Sequence, residues 1–179
     1  MEQKTTIGKT ILQCGALFGI VMVLEFVIGY VLNIDPQTNQ TYGLLINLLN
    51  FLILPFVFCW MGANQFKTSN NGFISLGETL KIAVGMGAIA SLIYGVFFWV
   101  FTFIFPDFIP ELMEKVRSVT LQQNPNLSSA QIEMSLQFME KFMEPYILIP
   151  STILINCFVE LIHGLVVGLI VKKEQPHSF

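Results

Sequence analysis

Few side chains in this sequence could do chemistry, and the most informative ones lie within the apolar stretch 145–171. Glu160 and His163 are three residues apart and would share one face of a helix, with Asn156 one turn before Glu160. A carboxyl group beside an imidazole inside a membrane can relay protons or bind a cation. The same residues can form a structural polar cluster, in which a neutral Glu160 hydrogen-bonds His163 or an Asn of another helix. The sequence leaves both interpretations open.

Two further polar side chains, Glu25 and Asn50, interrupt other apolar stretches at a similar predicted depth. We expect Glu25 to hydrogen-bond Asn47, Asn50 or a Ser or Tyr of the third helix, or else to join a proton-coupled site. A metal site is not expected, because a single Glu-x-x-His motif falls short of the two that di-iron helix bundles use. The candidate polar cluster in the membrane is therefore Glu25, Asn50, Asn156, Glu160 and His163.

Catalytic motifs are missing from the sequence. It has no nucleophile–base pair, phosphate-binding loop or dinucleotide motif, so we expect no catalytic residue, no enzymatic activity and no cofactor. Cys14, Cys59 and Cys157 follow no metal-binding spacing and are expected to be buried, unreactive thiols.

The composition indicates a protein whose solvent is lipid. Hydrophobic residues make up 54% of the chain and charged residues 12%, whereas soluble domains carry about 25% charged residues. The mean hydropathy is +0.67. A net charge of −3 gives no reason to expect a nucleic-acid partner. The expected partners are the lipid bilayer and either a second copy of the chain or another membrane protein.

The pattern of apolar and polar stretches predicts an all-α integral membrane protein with four transmembrane helices, forming one membrane domain over 1–179. About 20 apolar residues suffice for each span, and Ser75–Glu78 is the capping-box pattern expected at the start of the third. Residues 107–144 are amphipathic and predict an extracytoplasmic helical hairpin between helices three and four, with a second capping box at Ser128–Gln131. The predicted spans are about 10–34, 42–63, 79–105 and 146–171.

Small residues recur every four positions on three of these spans, a pattern that lets helix backbones approach closely. The aromatic residues between 97 and 105 are expected to contact lipid near an interface. The residues predicted to pack helix against helix are Gly15, Gly19, Gly87, Ser91, Gly95, Gly164 and Gly168.

The lysines predict the orientation in the cell (inner) membrane. Most of them flank the first, third and fourth spans on what would be one side, and basic residues are retained in the cytoplasm. Both termini should therefore be cytoplasmic. The lysines in question are Lys4, Lys9, Lys67, Lys81, Lys172 and Lys173.

Three short segments resemble a known family. They are Asn71-Gly72-Phe73-Ile74-Ser75-Leu76-Gly77 at the start of the third span, Ser129-Ala130-Gln131-Ile132-Glu133 in the hairpin, and Lys141-Phe142-Met143-Glu144-Pro145 before the last span. Together they are similar to the bacterial membrane family known as domain of unknown function 4199. The resemblance implies a small multispanning membrane protein without an assigned activity, and it supplies no catalytic or binding residues.

We therefore expect a non-enzymatic membrane protein with a structural or accessory role. The alternative is a small carrier or proton-coupled device that uses the mid-membrane Glu160 and His163.

Overall fold

The computed structural model describes residues 6–34, 39–124 and 126–175, and this part of the chain is helical with no strand. Lys4, residues 35–38 of the predicted first turn and Pro125 of the predicted break in the hairpin lie outside the described residues. The elements are α1 (Ile7–Val31), α2 (Gln40–Leu48), a π-helical turn (Leu49–Ile53), α3 (Leu54–Ser69), α4 (Leu76–Ile104), α5 (Phe108–Gln123), α6 (Ser129–Phe142) and α7 (Pro145–Val171).

Four helices in the described part of the chain are long and apolar enough to cross a membrane. They are α1, the continuous stretch Thr41–Ser69, α4 and α7. Many of their large apolar side chains are exposed on the outside of the bundle, with Leu154 73% exposed and Phe103 84% exposed. The predicted all-helical fold with four apolar spans is confirmed.

The second span contains a π-helical turn just before Pro55. The backbone N–H of Leu54 donates to the carbonyl of Leu49, five residues back. A π-helical turn of this kind accommodates the proline, which lacks an N–H. The helix then continues to Ser69, beyond the predicted end near residue 63. The extension includes the polar residues Asn64 and Thr68, whose side chains donate to carbonyls one turn back in the same helix.

Helix α4 is the centre of the bundle and packs against α7 and α1. The contacts are close because glycines occupy them. A Cβ atom added at Gly87 would lie 2.7 Å from Glu160 Cγ, and one added at Gly164 would lie 2.8 Å from Ala83 Cβ. The hydroxyl of Ser91 donates to the carbonyl of Gly87 at 2.8 Å and so stays within its own helix. Equally short distances, between 2.6 and 3.0 Å, apply at Gly15, Gly19, Gly95 and Gly168.

The loop between α3 and α4 is joined to the end of α7. Ile74 and Lys173 exchange two backbone hydrogen bonds, at 3.0 and 2.8 Å, and the Lys67 ammonium donates to the carbonyl of Val171 at 2.7 Å. The predicted capping box at Ser75 and Glu78 is confirmed. It places the start of α4 at Leu76, slightly before the predicted position.

Helices α5 and α6 pack against each other at the opposite end of the bundle, between the end of α4 and the start of α7. The predicted capping box of Ser128 and Gln131 is confirmed. Ile132 and Leu136 are buried on one face of α6, whereas Phe138 is exposed on another face. The two amphipathic helices therefore form a hairpin at one end of the bundle.

An aromatic cluster joins α1, α4 and α5 near the hairpin. Phe26 of α1 meets Phe98 and Phe101 of α4 and Phe108 of α5 at centroid distances of 4.9 to 5.8 Å. Phe98 and Phe101 are 7% and 6% exposed. The expectation that all aromatic residues from 97 to 105 contact lipid was wrong for these two, because α1 and the hairpin cover that face of α4.

Candidate functional site

A cavity of about 600 Å³ lies at the hairpin end of the bundle. Residues of α1, α2, the π-helical turn, α4 and α7 form its walls, and α5 contributes to it from the hairpin. Its volume falls within the range of small-molecule pockets, about 300–1,000 Å³. Apolar side chains that line it include Met22, Phe26, Ile46, Phe51, Phe98 and Leu148.

The cavity exists because the two halves of the second span pack differently. Helix α3 packs against α7, α1 and α4, whereas α2 makes extensive contact only with the π-helical turn. Where a glycine does face α2, it meets only the end of a long side chain, because a Cβ atom added at Gly29 would lie 3.0 Å from the Tyr42 hydroxyl oxygen. The space left between α2 and the other spans is the cavity.

Glu25 and Asn50 meet at the wall of the cavity. The Asn50 Nδ2 atom donates to Glu25 Oε1 at 2.7 Å, so one of the partners predicted for Glu25 is the one found. Glu25 is six residues before the end of α1, about 9 Å along the helix axis. The Oδ1 atom of Asn50 is buried and has no hydrogen-bond partner among the described residues.

Asn156 and Thr152 face the same cavity from α7. Asn156 Nδ2 donates to the carbonyl of Thr152 at 3.1 Å, and the Thr152 hydroxyl donates to the carbonyl of Leu148 at 2.9 Å. Both side chains thus donate to backbone carbonyls of their own helix. The carbonyl oxygen of the Asn156 side chain takes no part in these bonds.

Glu160 lies outside the cavity and is fully buried, at 0% exposure. It packs against Gly87 of α4, and neither of its carboxyl oxygens has a hydrogen-bond partner among the described residues. His163 contacts the carbonyl of Val159 in its own helix through Nδ1, at 2.8 Å. The structure therefore brings Glu25, Asn50 and Asn156 to one cavity and places Glu160 and His163 elsewhere, without a hydrogen bond between the two.

Several lining residues were not singled out as candidates from the sequence. Thr152 could have been included, because it is four residues before Asn156 and shares its face of the helix. Glu111 and Lys115 of α5 also line the cavity. No sequence signal places them there, since their position depends on how the hairpin folds back over the bundle.

The cysteines are separate from one another. Cys14 and Cys59 are buried, Cys157 is partly buried, and none forms a disulfide. Cys14 donates to the Oε1 atom of Gln65 at 3.3 Å. Among the residues that the structure describes, no three His, Cys, Asp or Glu side chains are close enough together to hold a metal ion.

The segment Asn71–Gly77 has a clear structural role. Asn71 and Gly72 have positive φ angles of 56° and 82°, which reverse the chain after α3. Ile74 then pairs with Lys173, and Ser75 caps α4. The segment is thus a turn and helix cap that fixes the connection between two spans.

Comparison with known proteins assigns the family and no activity. No curated protein and no solved structure matches the chain. A family model described as "Protein of unknown function (DUF4199)" matches residues 13–173, which include all four apolar helices except the start of α1. The chain therefore belongs to the DUF4199 family.

Proposed function

We propose that this chain is a non-enzymatic accessory protein of the bacterial inner membrane that binds a small amphipathic molecule in the cavity beside α2. One observation carries the proposal: a partly open cavity of about 600 Å³, lined mainly by apolar side chains, lies next to the hydrogen-bonded pair of Glu25 and Asn50. Ligand sites combine apolar walls with a few convergent polar groups in this way.

A proton-coupled carrier that uses Glu160 and His163 receives no support from this geometry. Such a device needs its ionisable groups to share a path to water or substrate. The Glu160 side chain of α7 is fully buried against Gly87 of α4 and does not line the cavity. The polar groups that do line it are better suited to orient a bound molecule.

We also propose that both termini face the cytoplasm and that the hairpin of α5 and α6 is extracytoplasmic. Lys67 and Lys173 lie at the bundle end formed by the α3–α4 loop and the end of α7. Basic residues at one end of a bundle favour the cytoplasmic side. Labelling of Ser118→Cys and Gln175→Cys in intact cells, each in a chain whose three native cysteines are replaced by alanine, would test this, with only the first expected to react with a membrane-impermeant reagent.

Lipid is the proposed partner of the outer surface. The glycine-rich faces that would allow another helix to approach closely are already occupied within the chain, as at Gly19 and Gly95. The exposed surface of the spans carries large apolar side chains instead, which suit acyl chains.

The binding proposal is tested by filling the cavity. Thr152→Phe places a ring in the cavity, and Leu154→Phe adds the same ring on the exposed face of the same helix. Each protein is purified from membranes in mild detergent and its bound small molecules are identified by mass spectrometry. We expect a molecule that accompanies the wild type and Leu154→Phe and is lost from Thr152→Phe.

A second pair of variants repeats the test from another helix, so that the result does not depend on whether Thr152→Phe folds. Ile46→Trp fills the cavity from α2, and Leu44→Trp adds an indole on the exposed side of the same helix. Equal amounts of every small molecule in all five proteins would overturn the binding proposal. Recovery of the bound molecule in altered form after incubation with the protein would overturn the non-enzymatic part of it.

A further inference from the structure

Glu25, Asn50 and Asn156 leave hydrogen-bond acceptors unused, while the lining also includes donor groups on Tyr42, Tyr94 and Lys115. Asn50 and Asn156 each donate through the side-chain nitrogen, to Glu25 and to the backbone respectively, and the Thr152 hydroxyl donates to the backbone. One N–H of each amide and the hydroxyl proton of Thr152 are therefore used within the protein. The acceptors that remain are the second carboxyl oxygen of Glu25 and the side-chain carbonyls of the two asparagines.

The Oδ1 atom of Asn50 is the strongest sign of a missing donor. It is buried without a partner among the described residues, next to the carboxyl group that accepts from the same side chain. Buried polar atoms in native proteins almost always have a partner, which can be a ligand group. A ligand that donates to Glu25 would also reach this oxygen after a rotation of the Asn50 side chain, which lines the cavity.

The charge around the cavity favours a cation. Glu25 is the deeper of its two acidic residues, while Glu111 and Lys115 lie one turn apart on α5 and oppose each other in charge. Aromatic side chains also line the walls, including Tyr94, Phe98 and Phe108. Aromatic faces and a carboxyl group both attract organic cations, most strongly where water is excluded.

From these observations we infer that the cavity binds the ammonium group of an amphipathic amine, whose apolar chain lies along the aromatic walls. The inference rests on the proposed binding function and names the class of ligand for it. Glu25 accepts from the ammonium group, and Asn50 fixes Glu25 through the hydrogen bond that it donates. Two sources share this chemistry: a free long-chain amine and the ethanolamine headgroup of a phospholipid.

The test uses dodecylamine as the probe and dodecanol as its neutral counterpart. Binding to the full chain is measured in maltoside micelles, which contain no amine, by native mass spectrometry and by the shift in melting temperature. We expect saturable binding of one dodecylamine molecule and no comparable binding of dodecanol. Glu25→Gln should weaken amine binding about tenfold or more, because one charge-assisted hydrogen bond is lost.

A matched carboxyl substitution provides the control. Glu114 is exposed on α5 and does not line the cavity, so Glu114→Gln should bind dodecylamine as the wild type does. Unliganded melting temperatures show whether each variant is folded. A second variant, Asn50→Leu, removes the hydrogen bond that fixes Glu25 and should also weaken amine binding.

The outcomes separate this inference from the proposed function. Equal binding of dodecanol and dodecylamine, or unchanged amine binding by Glu25→Gln, would overturn the ammonium assignment and leave a neutral ligand for the cavity. Binding of neither probe, and of no phospholipid, would overturn both. Competition by phosphatidylethanolamine against dodecylamine would identify the lipid headgroup as the source, and lack of competition would identify a free amine.

Discussion

The two carboxyl groups within the spans lie in regions that are built differently. Glu160 is in the tightly packed region, where α4 meets α7 through glycines and no space is left around the side chain. Glu25 is in the open region beside α2, where it has a polar partner and faces a cavity. A carboxyl group without space or partner can only influence packing, whereas one that borders a cavity can meet a ligand. Position in the packing, rather than depth in the membrane, separates the two.

The second span shows how one chain produces both regions. Its α3 half packs against three other spans, whereas its α2 half, which precedes the π-helical turn, makes no extensive contact with them. The turn lies directly before Pro55, whose missing N–H prevents a regular α-helix at that point. A local backbone constraint therefore divides the bundle into a packed part and an open part.

The largest expected effect comes from filling the packed region. Gly87→Leu would place a side chain where even a Cβ atom lies 2.7 Å from Glu160 and 3.3 Å from the carbonyl of Asn156. We expect a loss of about 3 kcal/mol of stability or failure to fold, as for severe overpacking. Thermal melting in detergent measures it. Gly8→Leu is the control, because nothing lies within 4 Å of a Cβ atom there, and a wild-type melting temperature for Gly87→Leu would contradict the close packing.

A smaller effect, with opposite signs in the two regions, is expected from replacing each carboxyl group by methionine. Glu160→Met removes two buried oxygens that lack partners and keeps the volume, so we expect a gain of about 1–3 kcal/mol. Glu25→Met removes the carboxyl oxygen that accepts from Asn50 and should lower the free energy of unfolding by about 1 kcal/mol. Unfolding in mixed micelles by titration with dodecyl sulfate measures both. Destabilisation by Glu160→Met would mean that Glu160 has a polar partner such as a bound water molecule or ion.

The smallest effect compares the two capping boxes. Ser75→Ala removes the cap of α4, the central helix, and should cost about 1 kcal/mol of global stability. Ser128→Ala removes the equivalent cap of α6 in the hairpin, which packs against only part of the bundle. We expect the second change to leave global unfolding nearly unaffected and to speed hydrogen exchange within α6 alone. Equal global losses would show that the hairpin and the spans unfold as one unit.

The sequence predicted those features that depend on local pattern. Four apolar stretches give four spans, and Ser75 and Ser128 cap helices because each is followed three residues later by Glu or Gln. The hydrogen bond of Glu25 to Asn50 was among the expected alternatives, since a carboxyl group inside a span needs a polar partner.

Features that depend on how the spans meet could not be predicted. A spacing of three residues places Glu160 near His163 but does not make them bond, because the ring of His163 contacts its own helix backbone instead. The cavity depends on how far α2 departs from the other spans and on the folded position of α5; Pro55 indicates a break in the second span, but no local sequence pattern gives either of these distances. The burial of Phe98 and Phe101 likewise results from the helices that pack over them.

The paired backbones of Ile74 and Lys173 bear on how the protein is made. During synthesis Ile74 reaches the membrane with the third span, long before Lys173 has been translated. The backbone N–H and C=O of Ile74 can therefore pair with Lys173 only after the last span has been made. The connection between the second and third spans therefore reaches its final form only after the fourth has been inserted. In a chain stalled on the ribosome before Lys173, all four spans have been translated, but the two backbone hydrogen bonds between Ile74 and Lys173 cannot form.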